Sequence, residues 1–290
     1  FFIAFLSITG RLPGGLTQEV KLKIAYSGIE GAFAHIAARR IFPGQELQSY
    51  GDFRSAYEAV EKGKCEYAVL PIENSYAGEV GQVTDLMFQG SLFVNGVYTL
   101  NVLQNLLGVK GARLDGVRKV VSHPQALEQC GDYIAGHGYV MEPAVNTARA
   151  AKMVAELGDV SVAAIASADT ATLYGLEILE SDINGHQDNS TRFAILSRKE
   201  GERVETGSDN NTFILMFAVK NEAGALVKVL NKLGEFGYNM SVIHSRPLKS
   251  LAWSYYFYIE AEGEYGTEAY KQMISEMEYR CSKLKVLGRF

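Results

Sequence analysis

Val117-Arg118-Lys119-Val120-Val121-Ser122-His123-Pro124-Gln125-Ala126-Leu127-Glu128-Gln129 runs from an apolar strand directly into the first turn of a helix. The β-branched residues Val117, Val120 and Val121 favour the extended chain. Pro124 suits the first helical turn, where a missing N–H leaves no bond unmade. Ser122 can cap that turn. Gln125 and Gln129, four residues apart, share one helix face near its positive end, a setting that suits a bound carboxylate. His123 invites a catalytic reading, but a histidine before proline in a capping loop is more simply structural.

Three other polar motifs follow strand-like runs in the same way. Lys23-Ile24-Ala25-Tyr26 leads into Ser27-Gly28-Ile29-Glu30-Gly31-Ala32, whose glycines permit a tight strand-to-helix turn. Tyr67-Ala68-Val69-Leu70 delivers Pro71-Ile72-Glu73-Asn74-Ser75. Asn74 and Ser75 can donate hydrogen bonds to a carboxylate, whereas an ionised Glu73 would repel one and reads as the structural partner of a cleft arginine. Asn189-Ser190-Thr191-Arg192-Phe193 opens a late strand, where Arg192 could grip a carboxylate with both arms of its guanidinium. Ligands of open α/β sheets sit beyond the carboxyl ends of the strands, so four such motifs predict one cleft for a small anion.

Alternating strand and helix signals from Lys21 to Ser197 predict a parallel-rich α/β domain. Asp52 and Thr147 are candidate helix N-caps. Leu92 to Val109 reads as a strand pair crossing between two lobes, and Thr191 to Ser197 as the return. The charged, turn-rich segment 199–211 reads as a linker. Beyond it, residues 212–290 read as a ferredoxin-like βαββαβ unit: strands from Thr212, Asn239 and Ala252, helices Ala225 to Phe236 and Thr267 to Met277, and a last strand at Val286-Leu287. The third of these strands alternates Trp253, Tyr255, Phe257 and Ile259 as its large face. The boundaries are a tail or linker over 1–20, a two-lobed domain over 21–198, the linker, and the small domain. The apolar Phe1 to Ile8 is too short to span a bilayer. It belongs to an ordered or frayed terminal tail or, alternatively, residues 1–12 are the last helical turns of an upstream domain.

The chain has 290 residues, 47% of them hydrophobic and 21% charged, with a formal net charge of -5. That balance argues against nucleic acid or a membrane as main partner. Cys65, Cys130 and Cys281 are scattered, which suits free thiols in a reducing cytoplasm. The histidines lack metal-ligand spacing, so no metal is assigned. No Gly-x-Ser-x-Gly elbow marks a serine nucleophile.

Taken together, the motifs resemble the prephenate dehydratase family over nearly all of residues 22 to 290: Gly-x-x-Gly-Ala-x-x-His through His35, Pro-Ile-Glu-Asn-Ser, Ser-His-Pro-Gln-Ala-Leu-x-Gln-Cys, and Thr-Arg-Phe. The resemblance implies a catalytic domain of the periplasmic-binding-protein type followed by an ACT regulatory domain. It implies cofactor-free conversion of prephenate to phenylpyruvate in phenylalanine synthesis. Thr191 matches the family's essential threonine, with Asn74, Ser75, Ser122, Gln129 and Arg192 as substrate binders. Phenylalanine is the implied effector, held by Gly224, Ala225, Leu226, Asn239, Ser245 and Arg246 in a homodimer or homotetramer. The family commonly has glutamate where this chain has His244. Some relatives carry a chorismate mutase upstream, which about 20 residues cannot hold. Two alternatives stand beside this reading: arogenate dehydration, and a non-catalytic sensor of aromatic acids. Thr191 discriminates against the sensor, which has no use for a hydroxyl at the leaving group.

Overall fold

The computed structural model describes residues 9–11, 17–19, 21–185, 189–207, 211–249, 251 and 253–290. Within the tail, Thr9–Arg11 pairs antiparallel with Thr17–Glu19, a β-ladder where the alternative reading of residues 1–12 has helical turns. Residues 1–8, His186, part of the 199–211 linker and Ala252 lie outside the described residues.

Two five-strand paths make the two lobes. In the first, Glu46–Tyr50, Lys23–Ser27 and Tyr67–Asn74 are parallel, and Ser190–Ser197 lies antiparallel between Tyr67–Asn74 and Phe93–Asn101. In the second, Val140–Pro143, Lys119–Ser122 and Val162–Ala166 are parallel, while Asn105–Gly108 and Glu177–Glu180 add antiparallel neighbours. The sheets are therefore mixed: Ser190–Ser197 in the first and Asn105–Gly108 in the second run against both of their neighbours. Phe93–Asn101 and Asn105–Gly108 are the outward crossing, and Ser190–Ser197 is the return, as the apolar pattern implies. The backbones of the two crossings bond directly, Val102 N to Asn189 O at 2.7 Å and Ile183 N to Gln104 O at 2.9 Å.

Caps follow the local chemistry. Asp52 accepts the Ser55 N–H at 2.7 Å. At the helix Thr147–Leu157 the cap is Asn146, one residue before the expected Thr147, accepting the Arg149 N–H at 2.7 Å. At Pro124–Gln129 it is His123, whose Nδ1 accepts the Gln125 N–H at 3.3 Å. Ser122, expected to cap that helix, is fully buried and donates instead to the Ile165 carbonyl of the neighbouring strand at 2.6 Å.

The C-terminal unit is a four-stranded antiparallel sheet in the order Asn239–Pro247, Tyr255–Glu262, Thr212–Ala218, Lys283–Arg289, with helices Ala225–Glu235 and Glu268–Glu278. This is the βαββαβ order read from the sequence. Both of its faces are buried. Phe213, Leu215, Phe217 and Ile259 pack under the helices with Val229, Leu233 and Met273. Ile214, Met216, Tyr256, Tyr258 and Leu287 share one core with Leu70, Met87, Val94, Ala194 and Leu196 of the first lobe. The large alternating face expected from Trp253 and Tyr255 is thus only half right. Those two are exposed, while their neighbours Tyr256 and Tyr258 are buried against the first lobe.

A helix absent from the sequence reading, Gly81–Gln89, is the docking element. It has no side-chain N-cap, although Val83, Leu86 and Met87 already carry the three-and-four spacing of a buried stripe. Asp85 on this helix accepts from Arg246 at 2.9 Å and from the Tyr256 hydroxyl at 2.6 Å. Burial alone would raise the Asp85 pKa, but the bonds from Arg246, Tyr256 and Lys249 outweigh it and hold the carboxyl well below the usual range. At the other end, Lys285 donates to the Met87 and Gly90 carbonyls at 2.7 and 2.6 Å, satisfying the helix C-terminus.

Candidate active site

The strand Ser190–Ser197 separates two environments, because successive residues of a strand face opposite sides of the sheet. Thr191 faces a cleft between the lobes. Arg192 faces the other way, toward the C-terminal unit. Directly across the ladder Thr191 pairs with Asn74, and Arg192 pairs with Glu73. Two cross-strand pairs thus stand back to back, one polar and neutral, the other charged.

On the cleft side the hydrogen bonds have a defined direction. Asn74 Oδ1 accepts the backbone N–H groups of Tyr76 and Ala77 at 3.1 and 2.9 Å, and the Gln125 amide of the second lobe at 3.2 Å. With its oxygen so placed, Asn74 presents its amide hydrogens to the return strand. Two hydrogens are shared among Asn189 Oδ1, the Ser190 carbonyl and Thr191 Oγ1, at 2.9, 3.0 and 3.0 Å. The Thr191 oxygen is therefore an acceptor from Asn74, which leaves its own hydrogen free to be donated. Asn189 completes the arrangement by donating to Gln129 Oε1 at 3.0 Å, another bond across the lobes.

The cleft has a volume of about 310 Å³. Among the described residues its lining includes Asn74, His123, Gln125, Gln129, Asn189 and Thr191, and no lysine or arginine. Positive potential comes instead from helix ends. Ala32 and Phe33 line the cleft at the start of Phe33–Ile41, where Ala32 has no oxygen with which to cap the first turn. Asn146 and Thr147 line it at the start of Thr147–Leu157. Free N–H groups and the aligned peptide dipoles make such termini anion sites. Burial lowers the His123 pKa and so favours its neutral form, and its Nδ1 accepts the Gln125 N–H, which puts the proton of the neutral ring on Nε2.

Closure of the lobes is held on the far side of the cleft by the Thr170 hydroxyl donating to the Gly31 carbonyl at 3.1 Å, and by the Tyr174 hydroxyl donating to the Glu30 carbonyl at 2.7 Å. Arg39 and Arg40 both pair with Asp169 there. Gly31 sits at φ +88°, where a Cβ would stand 3.0 Å from Leu173 of the opposite lobe. Close approach as well as turn geometry therefore demands a glycine.

Of the residues singled out from the sequence, Thr191, Asn74 and Gln129 meet in the cleft. Ser122, Ser75 and Arg192 are not in its lining. Ser122 is occupied as described above. Ser75 accepts the Ser190 N–H at 2.9 Å and so helps clamp the return strand. Arg192, expected to grip substrate, donates to Glu73 at 3.0 Å and to Glu260 of the C-terminal unit at 2.8 Å. Its burial disfavours the charge, but the two carboxylates outweigh that and raise its pKa. The expected partnership of Glu73 with arginine is present, on the face away from the cleft.

The same pleat divides the expected effector residues. Ser245 lies exposed on the edge strand, whereas Arg246 faces the first lobe and is committed to Asp85, with Glu79 at 3.6 Å. Arg246 thus docks the two units instead of joining Ser245 in one pocket. Gly224, in the left-handed region at φ +77°, starts the helix that continues through Ala225 and Leu226, and Asn239 begins the edge strand. The cleft residues passed over in the sequence, Ala32, Phe33 and Asn146, carried a recognisable signal: each begins a helix directly after a strand or loop.

Residues 24–201 match the family model described as prephenate dehydratase. The bifunctional chorismate mutase/prephenate dehydratase of Neisseria gonorrhoeae is 34% identical over 95% of this chain and 76% of its own length. The arogenate dehydratase/prephenate dehydratase 2 of Arabidopsis thaliana is 33% identical over 97% and 76%. Among solved structures, the prephenate dehydratase of Arthrobacter aurescens in complex with L-Phe superposes with a TM-score of 0.83. It is 25% identical, and the match covers 92% of this chain and 89% of that one.

Proposed function

The chain belongs to the prephenate dehydratase family, and from that premise we propose that Thr191 is the proton donor as prephenate loses carbon dioxide and its ring hydroxyl together. The observation that carries this is the direction of the Asn74–Thr191 hydrogen bond. Because Asn74 donates to Thr191 Oγ1, the threonine proton is aimed at a third group, and the bond increases its acidity. The ring carboxylate leaves as carbon dioxide, and its bonding electrons enter the ring. The ring C–O bond breaks at the opposite carbon, and the departing oxygen takes the Thr191 proton to become water. Solvent restores the threonine proton. Aromaticity of the product drives the step, so the protein need only orient the substrate and stabilise the leaving oxygen.

The two carboxylates of the substrate suit the helix ends at Ala32-Phe33 and Asn146-Thr147, with the amides of Gln125 and Gln129 between them. The free thiols, with no disulfide among the described residues, fit a reducing compartment such as the cytoplasm. Purified protein supplied with prephenate alone is expected to release phenylpyruvate. Folded protein that binds prephenate without turning it over would be a sensor instead. A parallel assay with arogenate measures which side chain the cleft prefers.

The C-terminal unit fits an ACT domain, and we assign it phenylalanine-dependent inhibition. Support comes from its βαββαβ sheet, from the glycine-led helix start at Gly224-Ala225-Leu226, and from the exposed edge strand holding Asn239 and Ser245. An unpaired edge is readily covered by a second copy across a two-fold axis, giving a dimer or tetramer. Calorimetry is expected to show phenylalanine binding that weakens when a prephenate analogue is present, since coupling between two sites is reciprocal. Phenylalanine affinity indifferent to the analogue would refute inhibition through the catalytic cleft.

A further inference from the structure

We propose that Glu260 of the C-terminal unit is a positioning residue for the dehydration, acting on Thr191 through Arg192. The inference rests on Thr191 being the proton donor.

Glu260 is only 3% exposed, and both of its oxygens are used. Oε2 accepts from Arg192 at 2.8 Å and Oε1 from the Tyr258 hydroxyl at 2.6 Å. The second arm of Arg192 reaches Glu73 at 3.0 Å, and the Phe290 ring lies 5.8 Å from the guanidinium. His244 closes the cluster, with Nε2 at 3.7 Å from the free Glu73 oxygen and its ring stacked on Tyr258. One rigid guanidinium therefore ties together the return strand, the Asn74 strand and the C-terminal sheet. Arginine suits this role because its planar fork fixes direction as well as charge.

The position of this tie gives it leverage. The ladder between the return strand and Tyr67–Asn74 is irregular just after Arg192, where Ile72 has no partner. A bulge leaves the local backbone less constrained by ladder bonds. Arg192 and Glu73 are the pair that borders that irregularity on one face, and Thr191 and Asn74 are the adjacent pair on the other. Glu260 supplies the anchor from outside the sheet. With its charge removed, the guanidinium keeps one carboxylate, and the strand around Thr191 loses its fixed height over the cleft.

The test is steady-state kinetics of the full chain with prephenate. Glu260→Gln is expected to lower kcat by about tenfold, the scale of a sub-ångström misplacement of a reacting group. KM should move less than about twofold, because the helix ends that hold substrate are elsewhere. Glu260→Asp should recover part of kcat. In an Arg192→Lys background, Glu260→Gln should cost clearly less than in the native chain, since the path through the fork is already broken. Tyr258→Phe removes only the hydroxyl bond to Glu260 and gives a variant that keeps the charges paired. It should lower kcat about threefold at unchanged KM. Unchanged kcat in folded Glu260→Gln, or additive losses with Arg192→Lys, overturns the proposal. If Glu260→Gln does not fold, unchanged kcat in Tyr258→Phe overturns it. An enzyme that needs Thr191 yet ignores Glu260 sinks this inference alone. One that ignores Thr191 sinks the reading beneath it.

Discussion

Thr191→Ala is expected to lower kcat by a factor on the order of 10² or more, the usual loss for a single preorganised donor, with KM changed only a few-fold. The reasoning is geometric. In the ground state the ring hydroxyl is neutral and binds Thr191 weakly, whereas the departing oxygen carries developing negative charge and binds it strongly. Removing the hydroxyl also leaves one Asn74 hydrogen without its Thr191 acceptor, although Asn189 and the Ser190 carbonyl remain for it. The cleft should therefore keep its shape, and the loss should appear in turnover. Thr191→Ser, which retains the hydroxyl without the methyl group, should restore most of the rate. A threonine-to-alanine variant with near-native kcat removes Thr191 from the chemistry.

Gly288→Ala is expected to destabilise the protein by about 2–4 kcal/mol, in the range of overpacking combined with backbone strain. Gly288 lies at φ +130°, and a Cβ built on it would stand 2.2 Å from the Val94 carbonyl oxygen. That oxygen belongs to the backbone of Phe93–Asn101, the edge strand of the first-lobe sheet, and cannot rotate away as a side chain could. The strand Lys283–Arg289 must lift instead, separating Leu287 from the core it shares with Val94 and Leu196. Urea unfolding should show the midpoint falling, with a first transition that exposes the 199–211 segment to protease. A native midpoint would mean that the two sheets tolerate a side chain between them.

The alternation of apolar runs with glycine- and amide-rich loops was enough to reveal the two lobes, the crossing at Leu92 to Val109 and the C-terminal βαββαβ unit. Those features depend on local pattern. Side-chain direction after a loop does not. Thr191 with Arg192, and Ser245 with Arg246, read as adjacent ligands because they are adjacent in the chain, yet the pleat sends each pair to opposite faces. Tyr256 and Tyr258 illustrate the same limit. Only the docking of the first lobe makes theirs an inner face, and a partner surface far along the chain leaves no mark in the local periodicity. Ser122 illustrates another. Its hydroxyl can cap a helix in principle, but a carbonyl of the adjacent strand lies closer, and pairing of Lys119–Ser122 with Val162–Ala166 is a long-range outcome.

On the proposed reading the cleft meets a dianion with helix termini and amides, and its lining holds no ammonium or guanidinium among the described residues. Peptide dipoles carry no exchangeable proton. Their attraction for a carboxylate is the same at every acidity that leaves the helices folded, whereas a lysine or histidine host would fade as it lost its charge. On this reading substrate capture is largely insulated from proton concentration, and acidity reaches the cleft through the ionisation of prephenate and of His123, the one titratable side chain in its described lining.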